Sequence, residues 1–144
     1  MTLRYSDLLQ ANRLSELKTL LNSGAGGVGH LHVYAGSVPP SVDRAITDQT
    51  LLFTSSADAT TCLDPVQGDT STPTTMQFLP FQDATAAAGT AAFFRLAAAS
   101  GTAYAQGLCA TSGAELNFTN PVFAANDVIQ IAGTGDLTLT AGND

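Results

Sequence analysis

Between Ala91 and Ile131 the chain reads AAFFRLAAASGTAYAQGLCATSGAELNFTNPVFAANDVIQI, a run that admits little besides short β-strands closed by tight turns. Side chains alternate across a strand, so Phe94 and Leu96 fall on one face and Phe93 and Arg95 on the other. Ala99-Ser100-Gly101-Thr102 supplies a turn in which Gly101 can take positive φ. Tyr104 to Cys109 then reads as the returning strand of a hairpin, with Gly107 marking a bulge or a close backbone approach. A second turn at Thr111-Ser112-Gly113 leads to Leu116 and Phe118, Asn120-Pro121 breaks the chain again, and Val128, Ile129 and Ile131 begin another strand. No residue in the run suggests chemistry. Phe94 and Leu96 are expected in the core, and Arg95 is a candidate for an ion pair within or between subunits.

One helix is expected, over Ser6 to Asn22. Ser6 can cap it, Asp7 suits its first turn, and Leu8, Ala11, Leu14 or Ser15, Leu17, Leu20 and Leu21 recur at helical spacing. Gly24 is placed to end it. A single helix leading a β chain must bury that stripe on its own sheet or on a partner, and the sequence does not choose. Gly24 to Gly29 satisfies G-x-G-x-x-G, but a helix precedes it and a strand follows, the reverse of a dinucleotide site. It reads instead as a hinge, dividing a helical arm, 1–29, from a β body, 30–144.

Within the body, His30-Leu31-His32-Val33-Tyr34 alternates, placing both histidines of the chain on one face and Leu31 and Val33 on the other. Two imidazoles at i and i+2 can share a metal where a third ligand converges. No Cys, His or Glu on the same element offers one, so the pair reads as a polar outer face. Val38-Pro39-Pro40-Ser41 imposes extended geometry, Ser41 to Ala45 suits a single helical turn, and Thr50 to Ser55 a strand. Ser56 to Thr74, rich in Ser, Thr, Asp and Pro, reads as a solvated loop; its Asp58, Asp64 and Asp69 match no EF-hand spacing. Thr75 to Phe81 is a strand, Gln82 to Thr90 a linker, and Leu137 to Thr140 a last strand. About eight short strands with turns between them define a mainly β chain, with a β-sandwich, jelly-roll-like or small-barrel body.

Charge and composition narrow the function classes. At 144 residues the chain is sized for one domain. Only 12% of residues are charged, about half the usual share, and small neutral residues fill the gap. Such a surface suits close packing against other copies or partners. The net charge of −7 with five basic residues argues against nucleic acid. Residues 1–22 carry three basic and two acidic side chains, for +1, whereas the rest carries two basic and ten acidic, for −8. The arm therefore differs electrostatically from the body and could reach an acidic neighbour. No apolar run is long enough to span a membrane and no secretory signal is visible, so a soluble chain made in a cytoplasm is expected. Cys62 and Cys109 form no motif and read as reduced, buried thiols, with a disulfide left open. There is no G-x-S-x-G elbow, no H-E-x-x-H and no supported carboxylate pair, so no enzyme, cofactor or metal is expected.

Several segments carry a resemblance. Leu31 to Pro40 (LHVYAGSVPP), Thr50-Leu51-Leu52, Gly89 to Arg95 (GTAAFFR) and Gly107 to Asn117 (GLCATSGAELN) resemble a family of small tailed-bacteriophage structural proteins. In that family a Tyr-Ser-Gly-like step with prolines precedes a Thr-Leu-Leu strand, and a Gly-Thr-Ala-x-Phe-Arg strand precedes a Thr-Ser-Gly-Ala-Asp-Leu-Asn turn. Glu115 stands where the family has Asp, and residues 56–74 have no counterpart. The resemblance implies a virion component made in the host bacterial cytoplasm, a capsid decoration or cement protein that stabilises the major capsid protein's shell. Its partners would be that shell and other copies of itself, as a trimer or dimer, with neither nucleic acid nor membrane. The contacts would fall on the arm, at Arg4, Leu8, Arg13 and Leu17, and on two loops, at Val38, Pro39, Pro40, Arg44, Asp64 and Asp69. Three alternatives stand beside it: a tail, connector or fibre-associated phage protein; a carbohydrate-binding β-sandwich, disfavoured by zero Trp and three Tyr; and, least favoured, an enzyme using loop aspartates.

Overall fold

A computed structural model describes residues 6–22, 29–55, 63–65, 75–78, 81–131 and 138–140. The chain is mainly β with one N-terminal helix and a sandwich-like body. The helix, α1 (Asp7–Asn22), begins where the sequence places it. The Ser6 hydroxyl accepts the Leu9 amide at 3.3 Å, satisfying a donor that the first turn would otherwise leave unpaired. Ala11, Leu14 and Leu21 are buried, at the spacing that puts residues on one helical face. Leu8 is 60% exposed, a correction to the expected stripe: at 100° per residue it lies beside the line through Ala11 and Leu14, one turn before the packed part of the helix.

Twelve strands are formed among the described residues. The largest sheet has the order β2-β1-β7-β8-β9, from β1 (His30–Ala35), β2 (Thr50–Thr54), β7 (Phe93–Ala97), β8 (Ala103–Ala110) and β9 (Leu116–Asn117). The expected hairpin is β7 and β8, turning through Gly101 at φ 92°. The β8–β9 pair is parallel, across a connection far shorter than a parallel crossover usually needs. Side chains make it possible: a Glu115 carboxylate oxygen accepts the Leu108 amide at 2.8 Å, and Asn117 bonds both the amide and the carbonyl of Ala114.

Smaller ladders complete the body. β5 (Phe81–Thr85) pairs with β11 (Val128–Ile131), and β6 (Gly89–Thr90) with β10 (Val122–Phe123). β4 (Thr75–Phe78) lies between β3 (Leu63–Pro65) and β12 (Thr138–Thr140). Two expectations are corrected here. The segment read as a linker, 82–90, contributes β5 and β6, and the segment read as a loop, 56–74, contributes β3. Cross-strand pairing decides both, because a ladder partner outweighs the weak strand propensity of Ala, Gly and Asp. The expected helical turn at Ser41 to Ala45 is a β-turn, closed by the Arg44 amide on the Ser41 carbonyl at 3.2 Å.

The core lies on the sheet face that carries Leu31 and Val33 of β1 and Phe94 and Leu96 of β7, all at most 2% exposed. Leu14 and Leu21 of α1 join the same cluster, so the helix packs its stripe on the body of its own chain. At the other end Phe53, Phe118 and Phe123 meet edge to face, with ring centres 5.4 to 6.3 Å apart, the arrangement that ring quadrupoles favour. The expected hinge, 24–29, lies outside the described residues except for Gly29. That glycine is buried, and a Cβ there would stand 2.9 Å from the carbonyl oxygens of Leu21 and Ala97.

Gly107 resolves as a close approach. A Cβ there would meet the Phe94 ring at 2.6 Å, and Phe94 is the residue opposite it on β7. Gly107→Ala is therefore expected to destabilise the protein by roughly 1–3 kcal/mol, the usual cost of overpacking, read as a lower urea midpoint at unchanged m-value.

Candidate partner-binding surface

The second face of the large sheet is organised in rows by strand register. Leu51, Tyr34, Phe93 and Leu108 lie opposite one another across β2, β1, β7 and β8. The next row is Thr54, His32, Arg95 and Gln106. In the first row Tyr34 stacks on Phe93 with ring centres 5.0 Å apart and planes 12° from parallel. Phe93 is fully buried, while Leu51 and Leu108 at the ends remain 43% and 48% exposed. Both faces of β7 are thus covered, as a central strand requires.

Arg95 in the second row is only 6% exposed. Its Nε donates to Gln106 Oε1 at 3.0 Å, and its Nη2 donates to the carbonyls of Arg44 at 2.8 Å and Ser41 at 3.3 Å. Gln106 Nε2 in turn donates to the Pro39 carbonyl at 2.9 Å. These four bonds fasten the loop 39–44 over the sheet. Among the described residues the partners of the guanidinium are neutral oxygens, which the planar donor fork of arginine can satisfy several at a time. Tyr34 shares this environment: burial pushes its phenol up and the Arg95 charge partly offsets that.

The expected contact residues divide between two sides. Val38 and Pro40 stand exposed on the fastened loop and Arg44 turns its side chain to solvent, whereas Pro39 is buried. Pro39, one of the expected contacts, contributes its carbonyl to the anchor that holds the loop. On the core side of the sheet, Arg13 is exposed and Leu17 is half-buried against the core. Arg13 and Leu17 line, with Leu9, Glu16, Leu20 and Tyr104, a shallow groove of about 420 Å³. Asp64 falls in β3; Arg4 and Asp69 lie outside the described residues. The structure brings the Val38–Arg44 set onto one face and leaves the helix set on the other. Sequence reasoning missed Leu51, Leu108 and Gln106; for the last two the signal was present, since Gln106 and Leu108 share a strand face by period two.

Cys109 is a free, buried thiol. Burial first, and the Glu115 carboxylate second, push its pKa up to about 12. Cys62 lies outside the described residues. Among the described residues no three His, Cys, Asp or Glu side chains cluster as a metal site, and no helix is long and apolar enough to cross a membrane. No protein family, curated relative or solved structure matches the chain.

Two outcomes are expected. Arg95→Ala, which strands part-buried acceptors on both the loop and Gln106, should cost roughly 1–3 kcal/mol of stability and speed amide exchange or proteolysis within 38–44, with Arg95→Lys restoring only part of it. In a Cys62→Ser background at pH 8, a thiol reagent should modify Cys109 only after denaturant is added, because the reactive thiolate is suppressed in the fold.

Proposed function

We propose that this chain is a bacteriophage structural protein that binds the major capsid shell as a decoration or cement protein. The family resemblance suggests the class. The observation that carries the reading is the outer sheet face: a loop fastened by Arg95 and Gln106 presents Val38 and Pro40 beside an apolar row whose ends, Leu51 and Leu108, are exposed. Rigid presentation lowers the ordering cost of docking. Exposed apolar groups beside a rim of few charges suit the core of a protein interface. Repetition over identical shell sites then multiplies a modest affinity per copy, provided the copies are linked as oligomers.

Cryo-electron microscopy of the particle tests the assignment. Copies distributed over the shell lattice support it; a few copies at one vertex or along the tail would overturn it in favour of a connector or tail role. In the purified system, Val38→Asp combined with Leu108→Asp should weaken binding to shells lacking the protein by roughly tenfold or more while leaving the thermal midpoint unchanged. Undiminished binding would remove this face from the contact.

A further inference from the structure

The two histidines on β1 are more constrained than a polar outer face requires. Their ring centres are 6.1 Å apart and their planes 79° from parallel. His30 Nδ1 lies 2.9 Å from the Ser55 carbonyl oxygen. That oxygen can only accept, so Nδ1 carries the proton and the lone pair is left on Nε2. His32 Nδ1 lies 3.1 Å from the Thr54 hydroxyl, which can accept in the same way. A metal-binding imidazole is commonly oriented like this, with its second nitrogen donating to a carbonyl or other oxygen.

Neither Nε2 makes a hydrogen bond among the described residues. Nor does any buried side-chain nitrogen or oxygen there lack a partner. The two half-buried rings therefore keep Nε2 within reach of solvent. With a metal–nitrogen bond of about 2.1 Å, two rings sharing one ion have centres about 4.5–6 Å apart, and the observed separation of 6.1 Å lies at the upper edge of that range.

We propose that His30 and His32 form a two-histidine chelate for a borderline divalent transition ion such as Ni²⁺, Cu²⁺ or Zn²⁺, with water completing the coordination. Imidazole ligands select such ions over Mg²⁺ or Ca²⁺. The inference stands on the β1–β2 geometry and is independent of shell binding.

Because these are the two histidines of the chain, the full-length protein offers a direct readout. Zn²⁺ titration followed by NMR should move the imidazole C–H signals of both residues together, saturating at one ion per chain. Calorimetry with Ni²⁺ should show at least a tenfold loss of affinity in His30→Asn and in His32→Asn alike, and about tenfold in Thr54→Val, the usual scale for a supporting group. Movement of only one histidine, or Ni²⁺ binding no stronger than in the His30→Asn/His32→Asn double variant, would overturn the proposal. The NMR titration uses the unaltered chain, so it decides the matter even if a substitution impairs folding.

Discussion

A buried arginine with carbonyl partners is the constraint on which the outer half of this protein depends. Desolvating a guanidinium is costly, and Arg95 can remain in the fold only while its donors are engaged. The loop after β1 supplies two of the acceptors and Gln106 the third. The loop's position is therefore set by a charge in the sheet it covers. In the neighbouring row Tyr34 stacks on Phe93, and every residue of β7 is buried.

On the other side the same strand anchors the helix. Phe94 and Leu96 meet Leu31, Val33 and the α1 stripe in one cluster, and two glycines set how closely these parts approach. Gly107 leaves room for the Phe94 ring, and Gly29 lets the chain pass the carbonyls of Leu21 and Ala97. The helix is therefore part of the body's core, even though its outer residues, Leu9 and Arg13 among them, still border an open groove. Any partner contact made by the helix would use that outer side.

Much of the fold was legible because it rests on local rules. Alternation placed Phe94 and Leu96 correctly, Ser6 marked the start of α1, and Gly101 marked the hairpin turn. The errors fell where a partner strand, and not the segment itself, decides the state: Gln82 to Thr90 pairs with chain distant in sequence, and the segment around Leu63 to Pro65 pairs with the following strand β4. The candidate surface was half legible. Val38 and Pro40 could be named from the prolines, but Pro39 is an anchor, and Leu51 and Leu108 become neighbours of Tyr34 and Phe93 only through register.

By itself the sequence determined a mainly β chain led by one helix, which face of each long strand is apolar, and the low charge of the surface, since these follow from side-chain periodicity and composition. Only the tertiary structure decided that α1 packs on its own body, that Arg95 finds neutral acceptors, and that the His30 and His32 rings are oriented by β2. Such contacts join residues tens of positions apart. Their partners are selected by register and by the need to satisfy every buried donor, and neither is written in any single segment.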